Sequence, residues 1–119
     1  MEITLPETAE QAVAKGAEAL DRIRPGWATE VDPALLSTHS ATYCIISQLW
    51  KTSYIEVERD VAVMIDDSTQ DASDTELAVF MMAHGFYRNA GATWLYAELD
   101  HAWRAEIQQR ANAPLAEVI

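Results

Sequence analysis

Apolar residues recur at helical spacing toward both ends of the chain, while the middle carries two overlapping patterns. Val13, Ala17, Leu20 and Ile23 step by three and four, so the spacing predicts an amphipathic helix from Pro6 to Arg24. Thr4 suits its cap, and Pro6 with Glu7 suits its first turn. Pro25-Gly26 ends it, because proline disfavours a helical residue before it and glycine turns the chain. Trp27 then folds back on Leu20 or Ile23, burying a large ring beside the turn. Asp32-Pro33 is a second start signal, predicting a short turn or helix through Leu35 and Leu36. Ser37 or Ser40 can cap a further helix from about Ala41 to Lys51, with Tyr43, Ile46 and Trp50 on one face.

The stretch Tyr54 to Asp66 supports two readings. Ile55, Val57, Val61, Val63 and Ile65 fall at odd positions opposite Glu56, Glu58 and Asp60, as in a strand. Trp50, Tyr54, Val57, Val61 and Met64 also follow a helical stripe. Five β-branched residues among eleven favour extended structure. Such a strand needs a partner within the chain or on a second copy, which leaves a homodimer open. Residues 66 to 72 are polar and read as a loop. Ser73 and Glu76 form a capping box opening a helix from Asp74 to His84, and Gly85 with Phe86 reads as its left-handed end. Residues 87 to 92, with Asn89 and Gly91, read as a loop. The last helix, about Thr93 to Ala111, carries the stripe Leu95, Leu99, Trp103 and Ile107. Asp100–Arg104 and Glu106–Arg110 are its acid-before-base pairs, and Pro114 marks its end before a loose tail at 112–119. The whole predicts one mainly α domain over 1–119. It is a compact bundle of three to four helices with at most a small β element near 54–65, and a radius of gyration of roughly 13–14 Å.

Composition narrows the function classes. The 119 residues are 50% apolar, enough for a core, and carry a net charge of −11. That field repels phosphate backbones, which argues against direct nucleic-acid binding through a broad basic surface. Cys44 is the single cysteine, so an internal disulfide and a multi-thiolate metal site are excluded, and core filling is its expected role. The acidic start of the chain lacks the order of a secretory signal. The longest apolar run, Leu77 to Ala83, is too short to span a bilayer. A cytoplasmic protein without membrane attachment is the expectation.

Residues able to carry chemistry are scattered. Between Glu56 and Glu76 stand eight carboxylates and one base, Arg59. A calcium loop fails there. From Asp67 the third, sixth and twelfth positions are Thr69, Ala72 and Ala78, and from Asp66 the twelfth is Leu77. The run reads either as a solvated surface or as a face that docks on a basic partner. His39, His84 and His101 lack zinc-site spacing. His84 falls at a helix C-terminus, where the dipole favours its charged form. No serine sits in a nucleophile elbow, and Gly16, Gly26, Gly85 and Gly91 form no phosphate-cradling loop. Of four tryptophans, Trp50 and Trp103 fit core stripes and Trp27 a turn anchor. Trp94 with Tyr96 fits either burial or an exposed partner hot spot.

A series of landmarks runs through the chain. Leu20-Asp21, Arg24-Pro25-Gly26-Trp27, Val31-Asp32, Leu35, Cys44 and Gln48-Leu49-Trp50 come first. His84-Gly85-Phe86 and Tyr96-Ala97-Glu98-Leu99-Asp100-His101-Ala102-Trp103-Arg104-Ala105-Glu106-Ile107 follow. From about residue 20 to 110 this order resembles a group of small proteins of actinobacteria and their phages that has no assigned activity. Members of that group often carry a second cysteine near Cys44 and a glycine after the Gln-Leu pair. Here Lys51-Thr52-Ser53 stands at that turn, and residues 55 to 75 look like an insertion or divergence. The resemblance implies a bacterial or phage cytoplasm and carries over no catalytic residues.

These observations converge on a non-enzymatic, acidic interaction protein that docks on a host or self protein, with a basic nucleic-acid-binding one, met by charge mimicry, among the candidates. Glu56, Glu58, Asp60, Asp66, Asp67, Trp94 and Tyr96 are its expected partner-binding residues. No catalytic, cofactor-binding or metal-ligating residue is expected. The alternative is a small hydrolase or ligand-binding enzyme using His84 with a carboxylate brought to it by folding.

Overall fold

A computed structural model of the chain describes residues 3–88 and 92–118, with side chains described as far as Ala111. Its helices are α1 (Ala9–Ile23), α2 (Ile45–Trp50), α3 (Tyr54–Ile65), α4 (Asp74–Ala83) and α5 (Tyr96–Val118), with 3₁₀ turns at Trp27–Thr29 and Asp67–Asp71. The fold is mainly α, as the patterning requires. Among the described residues there is no strand. The radius of gyration is 13.7 Å. No helix among them is long and apolar enough to cross a membrane. Asn89 and Gly91, placed by the sequence in a loop, lie outside the described residues.

Two capping boxes fix where the chain becomes helical. At α1 the cap is Thr8 rather than Thr4. Its hydroxyl accepts the Gln11 amide, and the Gln11 side chain accepts the Thr8 amide in return. Satisfying two otherwise unpaired amides at once favours this start over a lone threonine ahead of a proline. At α4 Ser73 and Glu76 make the predicted reciprocal pair. The same helix ends as predicted: Gly85 is left-handed at φ 73°, its amide donates to the Met82 carbonyl, and the Phe86 amide donates to Met81.

α3 is a helix, which corrects the extended reading of this stretch. Val57 and Ile65 are partly buried and Val61 and Ala62 fully buried, whereas Ile55, inward in the strand pattern, is 79% exposed. With no strand to pair with, extended backbone here would leave buried polar groups unmatched. Packing against α1, α2, α4 and the 3₁₀ turn at Asp67–Asp71 outweighs β-branched propensity. Met64, assigned to the helical stripe, points outward. Other local expectations also shift. Residues 33–35 form a turn, one of the two forms expected there, in which Asp32 accepts the Ala34 amide. α2 is shorter than predicted, because Ser40 accepts the Thr42 and Tyr43 amides and holds that segment in a turn, leaving Tyr43 exposed. Leu95 is exposed ahead of α5, and Trp94 takes the core position instead. Asp100 and Arg104 do not pair with each other. Asp100 accepts from Thr38, and Arg104 donates to the carbonyls of Pro33 and Leu36. Both thereby fasten the 33–38 loop to α5. The Glu106–Arg110 pair forms at 2.5 Å. α5 continues past Pro114.

The centre of the core is aromatic. Trp27 and Trp103 are fully buried and meet edge to face at 5.7 Å, and Phe86 stacks on Trp103 at 5.5 Å. Trp103 Nε1 donates to the Gly85 carbonyl at 2.8 Å, and Trp27 Nε1 donates to Asp21 at 2.9 Å. Both polar edges are therefore matched inside the core. Cys44 is buried there, as expected.

Gly16 lets α1 approach this centre. A Cβ there would sit 2.0 Å from the His84 carbonyl oxygen and 3.0 Å from the Trp103 ring. Gly26, at φ 83°, has nothing within 4 Å of a built Cβ. Gly16→Ala is therefore expected to destabilise the protein by about 3 kcal/mol, since a backbone carbonyl cannot yield as a side chain would. Gly26→Ala is expected to cost only about 1 kcal/mol of backbone strain. Urea unfolding midpoints of the two variants check this order.

Candidate functional site

The segment Thr38–Ala41, the start of α3 and residues 86–87 enclose a cleft of about 420 Å³, lined mostly by apolar surface. Each wall is held by a separate device. Thr38 anchors the loop by donating its amide and hydroxyl to Asp100, at 2.8 and 2.7 Å. The Ala41 carbonyl accepts the Tyr54 amide at 3.0 Å, joining the loop to the first turn of α3. On the α5 side Tyr96 donates its hydroxyl to the Arg88 carbonyl at 2.9 Å, and His39 stacks on its ring at 4.5 Å. Tyr54 and Tyr87 lie nearly parallel, with centroids 6.2 Å apart.

Two polar groups in this cleft are unusual. The Tyr54 hydroxyl is buried without a hydrogen-bond partner among the described residues. Burial raises its pKa well above the ordinary tyrosine value, and the nearby Glu58 carboxylate pushes it further the same way. Their approach does not reach good hydrogen-bond geometry. An unmatched buried hydroxyl costs about 1–3 kcal/mol. Glu58 forms no ion pair with any described residue, so it leaves a carboxylate against aromatic walls.

The residues expected to bind a partner separate into distinct places. Glu56 and Asp60 share the outward face of α3 with Met64, and Asp67 is exposed on the turn that follows. The base of this run does not neutralise that face. Arg59 turns inward and donates to the carbonyls of Thr69 and Ala72 at 2.8 and 2.9 Å, with longer 3.4 Å contacts to the Gln70 carbonyl and to Asp74. Glu58 and Tyr96 both line the cleft. Asp66 caps the 3₁₀ turn by accepting the Ser68 amide and hydroxyl, and these bonds lower its pKa. Trp94 is 2% exposed, so the exposed Trp94–Tyr96 patch does not form. Sequence reasoning missed the cleft itself. Its walls come from four separate segments, and no spacing links His39, Tyr54 and Tyr87.

His84 and Asp66 line a second, more open hollow together with Lys15 and Arg22. Since a carbonyl only accepts, the 2.8 Å contact to the Phe80 oxygen places the proton on His84 Nδ1. Burial lowers the pKa of His84, against the helix-dipole expectation, with Lys15 and Arg22 adding to the effect. Ser68 donates its hydroxyl to Asp66 and not to the imidazole, the reverse of the order that activates a serine. Among the described residues no three His, Cys, Asp or Glu side chains gather as a metal site requires.

A pH dependence follows from His84. Above about pH 6.5 the imidazole is neutral in both folded and unfolded chains. Below that value the unfolded chain takes up the proton first, so stability falls until the pH reaches the depressed folded pKa. Melting temperature is expected to decline between pH 7.5 and 5.5, with a shallower slope in His84→Gln. Equal slopes for the two proteins would refute this.

Comparison with protein-family models, with curated proteins and with solved structures finds no match to this chain.

Proposed function

We propose that this chain is a non-enzymatic interaction protein of a bacterial or phage cytoplasm, docking through the outward face of α3 and the turn after it on a basic protein. The observation that carries this reading is the inward placement of Arg59. It leaves Glu56, Asp60 and Asp67 as exposed carboxylates without a neighbouring surface base from their own segment. Met64, half exposed on the same face, offers an apolar contact amid the charge. A basic protein that ordinarily grips nucleic acid is a fitting partner, since a rigid row of carboxylates presents charge as a phosphate backbone does. Electrostatic docking of this kind acts chiefly on association rate.

The test uses three amide substitutions, Glu56→Gln, Asp60→Asn and Asp67→Asn. Glu58 and Asp66 stay, because one lines the cleft and the other caps a turn. Affinity capture from an actinobacterial lysate is expected to recover a basic protein whose association slows at least tenfold between 0.05 and 0.5 M salt, as screening shortens to about 4 Å. The triple variant is expected to lose most of that capture at low salt while keeping its melting temperature. Equal capture by parent and variant at every salt concentration would sink the reading.

A further inference from the structure

The cleft beside α3 combines three features that ask for one kind of occupant. Its walls are aromatic, with Tyr54, Tyr87, Tyr96, His39 and Phe86 among the lining. The carboxylate it contains, Glu58, has no ion pair among the described residues. Tyr54, which lines it, has a hydroxyl that is buried and unmatched among the described residues. We propose that this cleft is a binding site for a small organic ammonium ion, its apolar body against the tyrosine rings and its nitrogen between the Glu58 carboxylate and the Tyr54 hydroxyl.

The chemistry selects against other occupants. An anion would meet Glu58 directly and the net charge of −11 on approach. A purely apolar molecule would strip water from Glu58 and return nothing to it or to the Tyr54 hydroxyl. A bare metal ion finds a single carboxylate where several ligands are needed. An ammonium ion on an apolar body meets all three features: the carboxylate supplies charge, the hydroxyl oxygen accepts an N–H, and the ring faces attract a cation. Arg88 lies over the Tyr96 ring with its centre 5.8 Å from the centroid and donates to the Trp94 carbonyl. It is thus engaged outside the lining and leaves Glu58 without its charge. The volume, about 420 Å³, falls in the lower part of the range of roughly 300–1,000 Å³ typical of small-molecule sites. This inference does not rest on the acidic face, since Glu56, Asp60 and Asp67 do not line the cleft.

Three probes of one shape and different charge test it: 2-phenylethylammonium, 2-phenylethanol and phenylacetate, each titrated into the full chain and followed by amide NMR shifts. The ammonium ion is expected to shift the amides of Thr38 to Ala41, Tyr54, Glu58 and Tyr87. The alcohol is expected to bind about tenfold more weakly and phenylacetate not at all. Glu58→Gln is expected to bring the ammonium ion down to the alcohol, and Tyr54→Phe to weaken the ammonium ion while leaving the fold at least as stable. Three probes binding alike would overturn the proposal. So would ammonium shifts confined to Glu56, Asp60 and Asp67, which would mark loose attraction to the acidic face. Should Glu58→Gln fail to fold, the charge series on the parent chain and Tyr54→Phe still decide.

Discussion

The close approach of α1 to the turn after α4 is the constraint on which the rest of this protein depends. Gly16 admits the His84 carbonyl to a distance that any side chain would forbid, and a Cβ on Gly85 would stand 2.9 Å from Val13. Two absent side chains therefore let two backbones meet. Trp103 closes the arrangement from α5, with its ring near Gly16 and its indole N–H on the Gly85 carbonyl. Three helices are thus fixed at one point by contacts that tolerate little displacement, because protein interiors are packed as tightly as molecular crystals.

A second fastening joins the far ends of α1 and α5. Arg110 forms a two-pronged pair with Asp21, and Asp21 also accepts the Trp27 indole N–H. The hydrogen bonds from Arg110 hold the Asp21 carboxyl below its ordinary range, and the guanidinium lies over the Trp27 ring. The Arg-Pro-Gly-Trp segment thereby gains a structural reason. The turn at Gly26 brings Trp27 back under Asp21, while Arg24 reaches Glu30 and the Trp50 ring. Half-exposed ion pairs of this kind contribute modestly one by one, and their geometry sets the register of the two helices.

With the frame fixed at these two points, the acidic middle of the chain is free to vary its surface. α3 serves three environments at once. Val57, Val61 and Ala62 face the core, Tyr54 and Glu58 face the cleft, and Glu56, Asp60 and Met64 face water. The exposed row and the cleft lie on different sides of one helix. Charge on the first and an unmatched hydroxyl in the second both lower the stability of the isolated protein, which is the expected mark of surfaces kept for contact rather than for folding.

The amphipathic stripe of α1, the capping box at Ser73, the left-handed glycine after α4 and the buried stripe Leu99–Trp103–Ile107 were legible in the sequence. Each depends on residues within a few positions of one another, where spacing and backbone chemistry suffice. The helical state of 54–65 was not, because five β-branched residues carry a local preference that only packing against distant segments reverses. The inward turn of Arg59 and the separation of Asp100 from Arg104 were decided by partners outside their own helices, and Trp94 is buried where spacing left burial and exposure open. The cleft belongs wholly to this second class. His39, Tyr54, Glu58, Tyr87 and Tyr96 share no periodicity, and they meet only because Asp100 fixes the Thr38 loop and the Ala41 carbonyl fixes the start of α3. Composition and local spacing determined that this chain would be helical and acidic. Long-range packing alone determined which of its polar groups were left facing water and which were left facing a cavity.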